Sequence, residues 1–539
     1  MAARPFPILV RHFFGRFFDT ESLSPQADAA ANLGPLLAML AVPSAFLAIL
    51  LQSVTLVRWD LIYFRYFFLS FSMIAMAFIV VFKWDTLFPD LRDYQILTPL
   101  PLRSSTLFLA KMTALALFLG LFLADINFFG VLFWPGIDRG KGTISIFAAH
   151  AGAMLAGGLF AALAAATIQG VLMTVLSGRV FHRVAASIQT VLMTLLVMSL
   201  FVTPLLAMQV HQLVRAKSAI LYWFPPFWFI GLYERLRPAT GNQVLLDLGS
   251  IAILALWCAA AAFLLTYLPG YRRHARGALE TPAVSPAGPG RVRRFVEGAL
   301  NRTLLKTPVE RAVFHFMTRT ITRSMKHRLF LAAYGGFGLA LGAFSLLSGP
   351  DGRLRLPLTL SFILVSGLRA AFNFPSELRA NWVFQLSETN STGEYVAAMR
   401  KWIALYAVVP LFVVLAPLEF GTFAVWEALF HIAFGITLSL LLMEIMFFDF
   451  RKVAFACAYF PGRINLVGLS VVYVFGFTMY SDVMAAFESW LAGWPAAAVS
   501  FVAVAGVGLF LLGRARAQAG RGSLDYEAAG DPVVRTLGV

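Results

Sequence analysis

The sequence predicts an all-α polytopic membrane protein: a transmembrane helical bundle of about twelve spans, arranged as two parallel six-helix pseudo-repeats. Three observations predict it. The 539 residues are 59% hydrophobic and only 13% charged, about half the charge of a soluble chain. The mean hydropathy is +0.77, so most of the chain must meet lipid rather than water. The apolar runs also recur at the length a bilayer core requires, about 20 residues of helix for roughly 30 Å.

The runs place spans near 34–56, 61–82, 104–133, 145–176, 184–209 and 243–267, then near 329–349, 356–373, 398–417, 422–447, 464–481 and 494–513. The chain accordingly divides into an N-terminal interfacial arm (1–33), a first six-span half (34–268), a basic linker with an amphipathic helix (269–328), a second six-span half (329–513) and a tail (514–539). With the N-terminus inside, most Lys and Arg outside the spans fall in inner loops, even when the linker is set aside. Both termini are therefore expected in the cytosol, with the chain multi-pass in the inner (cytoplasmic) membrane.

In the arm, Phe6, Leu9, Val10, Phe13, Phe14 and Phe17 share one helical face, opposite Arg4, Arg11, His12, Arg16 and Asp19. That pattern predicts an interfacial helix. In the linker, Leu268-Pro269-Gly270 is expected to end a helix, and 281–290 reads as flexible by composition. Val309 to Leu329 is expected to form a basic amphipathic helix running into the seventh span. The net charge of +16 is densest here and otherwise flanks apolar runs, which anionic headgroups select. The expected partner is the lipid bilayer and not a nucleic acid. The two cysteines, Cys258 and Cys457, give neither a disulfide framework nor a metal spacing.

The loops after the second span of each half share an order. Phe88-Pro89-Asp90-Leu91-Arg92-Asp93-Tyr94 matches Phe374-Pro375-Ser376-Glu377-Leu378-Arg379-Ala380-Asn381-Trp382: Phe-Pro, an acid, Leu-Arg, then an aromatic. Each is followed by a basic residue at the start of the next span, Lys111 and Lys401. This order argues for an internal duplication whose halves are related by an axis along the membrane normal.

The first of these loops, with Leu97-Thr98-Pro99-Leu100-Pro101-Leu102-Arg103 and then Leu109-Ala110-Lys111, resembles that of the permease subunits of type-2 ABC exporters. The aromatic stretch Leu221-Tyr222-Trp223-Phe224-Pro225-Pro226-Phe227-Trp228 resembles their extracellular re-entrant region, and the N-terminal helix their interfacial elbow. The resemblance implies a permease moving a hydrophobic or amphipathic substrate. It also implies cytosolic coupling loops, here Asp90, Leu91, Arg92, Pro99, Pro101 and Arg103 with Glu377, Leu378 and Arg379, that face a separate P-loop ATPase carrying the ATP. The second half departs from it, with Gln385-Leu386-Ser387-Glu388 in place of the Pro-Leu-Pro core. A nucleotide loop in this chain is not expected. Gly136-Ile137-Asp138-Arg139-Gly140-Lys141-Gly142-Thr143 is one residue short and lacks the hydroxyl after its lysine.

Ionisable and polar residues within spans are the remaining candidates. They are Asp125 with Asn127, Glu427 with His431 at i, i+4, and Glu444 deeper on the same helix. Glu427 and His431 read as a helix-packing pair, a proton relay or, with too few ligands, a metal pair. Arg369 either pairs with Glu377 or snorkels. No cofactor, metal site or enzymatic motif is expected; Glu234 with Arg235 and Arg237 is the faintest exception. Two other readings stand beside the permease. One is a proton-coupled secondary transporter using Asp125 or Glu427; the other is a scaffold or enzyme acting on lipid-linked substrates.

Overall fold

The computed structural model describes residues 5–18, 42, 45, 49, 61–87, 97, 99–138, 142–176, 178–237, 241–280, 291–376, 382–386, 392–448, 450, 452–456 and 466–519. These residues are helical almost throughout and contain no strand. Ten helices among them are long and apolar enough to cross a membrane, and each overlaps an expected span. Of the other two expected spans, 34–56 lies almost wholly outside the described residues. The second, 464–481, opens a continuous helical run from Leu466 to Ala492 with a π-turn at Met479–Val483.

The chain forms two compact units, Met1–Val284 and Ser285–Val539. In the first unit, the amphipathic helix Pro5–Phe18 packs along Ser104–Ile137. It buries Leu9, Phe13, Phe17 and Phe18, close to the face the periodicity predicts. Leu61–Phe82 packs against Thr143–Val175 and Gly178–Arg215, and 143–175 in turn against Gln243–Glu280. Between the last two spans lie the short helix Ile220–Trp223 and the helix Pro225–Leu236. Phe224 is extended before a proline at the first helical position, which sets the corner between them.

The second unit is likewise built of packed helices. After Arg291–Thr303, Pro308–Arg323 packs on Thr392–Ile403, and Met325–Leu347 on Pro350–Ala371. Pro350–Ala371 packs on Val425–Met446 and on the 479–492 part of the π-containing run. Val425–Met446 also meets Val409–Thr422 and Pro495–Ala519. A second π-turn, Ala404–Val408, joins 392–403 to 409–422.

Two expectations in the linker are corrected. The helix of the sixth span does not stop at Leu268-Pro269-Gly270 but continues to Glu280 with Pro269 inside it; an interior proline removes one hydrogen bond, which a long helix can absorb. The amphipathic helix does not run into the seventh span. It is Pro308–Arg323, started by Thr307, whose hydroxyl accepts from the Glu310 amide at 3.2 Å, and stopped by extended Ser324. Residues 281–290 lie outside the described residues.

Outward-facing side chains on the long helices are large and apolar. Trp257, Leu265, Val414 and Val504 are each over 70% exposed, far more apolar exposure than a water-facing bundle carries. The chain is a multi-pass membrane protein.

Candidate functional site: a clamped loop entry and two buried ionisable clusters

The first candidate region is the end of the second span in each unit, where the expected coupling loops begin. A helix leaves its last four carbonyls without partners, and here side chains from other spans fill them. In the first unit, Gln189 Nε2 donates to the Val81 carbonyl at 2.7 Å and Gln169 Nε2 to that of Trp84 at 2.7 Å. Lys111 Nζ donates to that of Thr86 at 2.8 Å, and Tyr267 Oη to that of Leu87 at 2.6 Å. The Lys111 ammonium also lies 5.1 and 4.8 Å from the ring centres of Phe13 and Phe17, and the Phe17 ring stacks on Phe118 at 4.6 Å. The amphipathic helix, the third span and the loop entry are thus tied at one lysine, with cation–π attraction replacing part of its lost hydration.

In the second unit Lys401 ties the third span to the amphipathic helix and to the end of the segment before it, while the loop entry is held by other residues. Its Nζ donates to Glu310 at 2.8 Å and to the Leu304 carbonyl at 2.9 Å, while Trp402 Nε1 donates to Thr318 Oγ1 at 3.0 Å. The loop entry is held by Lys326, which donates to the carbonyls of Pro375 and Ser376, and by His327 Nε2 on the Phe374 carbonyl at 2.8 Å. Arg369 does not simply snorkel. Its Nε donates to the Met446 carbonyl at 2.9 Å, closing the end of 425–446, and its guanidinium lies 4.7 Å from the Phe450 ring centre. Pro99, Leu100, Pro101 and Arg103 form an exposed turn leading into 104–137. Asp90, Leu91 and Arg92, and Glu377, Leu378 and Arg379, lie outside the described residues.

At the opposite end of the first unit, Arg65, Asp138 and Tyr233 form a buried cluster that the candidate residues did not include. Asp138 Oδ2 accepts from Arg65 Nη2 at 3.0 Å, Tyr233 Oη at 2.9 Å and Arg237 Nη1 at 3.5 Å. The Arg65 guanidinium lies 4.0 Å over the Tyr233 ring, and Trp134 stacks on His150 at 4.1 Å beside it. Burial pushes the Tyr233 hydroxyl above its ordinary pKa, so it stays protonated and keeps donating to Asp138. Glu234 accepts from the Gly241 amide and Arg235 donates to Ser250 Oγ, so both bond to groups of their own helix pair.

The opposite end of the second unit holds a cluster of different charge. The Glu427–His431 pairing is corrected. Glu427 is exposed and accepts from the Ala424 amide at 3.3 Å, at the start of its helix. His431 is buried and contacts carboxylates from two other helices: Nδ1 lies 2.5 Å from Glu488 Oε1, and Nε2 lies 3.5 Å from Glu419 Oε2. Gly435 makes this possible, because a Cβ there would lie 2.6 Å from the Phe412 ring, so 409–422 approaches 425–446 closely. Glu419 and Glu488 were legible only as single acids within apolar runs, at the same depth as His431.

The other candidates stay apart. Glu444 pairs with Arg400 of the third span. Asn127 Nδ2 donates to the Leu123 carbonyl one turn back, and half-buried Asp125 has an Oδ2 without a hydrogen-bond partner. No group of three or more metal-type ligands able to hold an ion occurs among the described residues. Comparison with known proteins finds no matching family model, and no curated protein or solved structure that matches the chain significantly.

Proposed function

We propose that the chain is the membrane permease of an ABC-type exporter, driven by a separate P-loop ATPase, with its two units acting as a fused pair of duplicated halves. One observation carries this reading. In each unit an amphipathic helix is bound to the start of the third span by a lysine, Lys111 or Lys401, and other side chains hold the carbonyls where the second-span loop begins. Such a joint is stiff where it meets the loop, so a push on the loop moves the second and third spans and the amphipathic helix together. The exposed Pro99–Arg103 turn is the contact surface, and in this reading both termini belong to the cytosolic side of the inner membrane. The matching helix pairings of the two units support duplication. The apolar, phenylalanine-rich spans suit a hydrophobic or amphipathic substrate.

Affinity purification from native membranes tests this. The intact chain is expected to bring down a P-loop ATPase, and Arg103→Glu to reduce its recovery by about tenfold, the effect of about 1.4 kcal/mol. Recovery without any ATPase, together with substrate movement driven by a proton gradient alone, would remove the reading.

A further inference from the structure

The second unit contains a charge arrangement that the permease reading does not use. Glu419, His431 and Glu488 come from three different helical segments, and their side chains are all 3% exposed or less. His431 bridges them, one ring nitrogen toward each carboxylate. Two polar atoms of the cluster, His431 Nε2 and Glu488 Oε2, are fully enclosed and have no hydrogen-bond partner.

The charges around it do not balance. Among the described residues, no lysine or arginine forms an ion pair with any of the three. From the elements packed on 425–446, the helix 350–371 brings Asp351, Arg353 and Arg355 at its start, and Arg355 is engaged by Asp482 of the π-turn at 2.9 Å. Arg369, at the other end of that helix, caps Met446. The π-turn also brings Tyr480, bonded to Ser361 and Ser439, and the π-turn 404–408 brings Tyr406. The stretch 495–513 carries no ionisable residue. On the helix itself Glu427 is at the surface, and Glu444 pairs with Arg400.

We propose that Glu419, His431 and Glu488 form a binding site for one exchangeable proton. With an imidazolium and two carboxylates the cluster carries one net negative charge, which a buried, apolar site disfavours. Taking up a proton forms an O–H bond on one carboxylate oxygen and makes the cluster neutral; releasing it restores the negative charge. The proton belongs to the cluster rather than to one residue, since groups this close titrate together. Exposed Glu427 lies one helical turn before His431, so exchange with the aqueous side crosses a single turn. A metal ion does not suit the same atoms, because the imidazole already occupies the space between the carboxylates. The site depends only on second-unit residues and stands or falls independently of the ATPase partner.

Infrared difference spectra of the full-length protein in lipid nanodiscs, recorded between about pH 5 and pH 8, test the proposal. The wild type is expected to show a protonated-carboxyl stretch that titrates. That band should disappear in E488Q or move its midpoint by about one pH unit or more in E419Q, and should persist in D125N and E427Q. Absence of a titrating band in the wild type overturns the proposal whatever the variants do. So does a band unchanged in both E419Q and E488Q, or one lost in D125N alone.

Discussion

Asp138→Ala is expected to destabilise the protein by about 3–5 kcal/mol, the cost of leaving a buried charge without its partner. Asp138 is the shared acceptor for Arg65, Tyr233 and Arg237, and Arg65 is only 7% exposed. Removing the carboxylate strands the guanidinium against Trp134 and Tyr233, whose rings can offset only part of its hydration. The double variant Arg65→Met, Asp138→Ala is expected to recover more than half of the loss, because an apolar replacement of both partners carries no buried charge. Thermal or denaturant unfolding in a single detergent measures both. An Asp138→Ala protein as stable as the wild type would mean that Arg65 reaches water, contrary to its burial.

The spans were legible because membrane insertion writes them locally. A run such as 61–82 or 425–446 needs no partner to be recognised, and the amphipathic face of 5–18 follows from its own periodicity. Helix ends were less legible. Pro269 reads as a stop, yet the helix passes through it, and the break at Ser324 has no glycine or proline to announce it. The helix 225–236 was visible only as an aromatic, proline-bearing stretch.

The clusters were legible in composition and not in pairing. Glu427 and His431 stand at i, i+4, the spacing that brings helix side chains together. A lone acid at the start of a helix, however, has its own backbone amides to satisfy, and Glu427 turns to Ala424. That leaves His431 for Glu419 and Glu488, 12 residues before it in sequence and 57 after it. Gln169, Gln189 and Tyr267 follow the same logic. Each is a polar group inside an apolar run, which must find an acceptor in the bundle; the sequence signals the need but not the partner. Lys111 and Lys401 are the exception. Their matched positions made them visible in advance, and each joins the third span of its unit to the amphipathic helix.

Gly231→Ala is expected to be among the most damaging small substitutions in the chain. A Cβ at Gly231 would lie 2.4 Å from both the Leu245 carbonyl oxygen and the Gly249 amide nitrogen, and one at Gly249 would lie 2.5 Å from the Gly231 carbonyl oxygen. All of these are backbone atoms, so no side chain can rotate away, and the helices 225–236 and 243–280 must separate. Overpacking of this kind costs about 1–3 kcal/mol or more. Tyr233 and Glu234 lie two and three positions further on, so separation also pulls the phenol from Asp138 and the carboxylate from the Gly241 amide. Hydrogen exchange should therefore quicken across 225–236 in Gly231→Ala while staying unchanged in the second unit. Gly249→Ala should reproduce the effect, and the double variant should cost less than the sum of the two, because both open the same contact. Additive losses would show instead that the two glycines serve separate contacts, and that the helix 225–236 is held chiefly by its aromatic face.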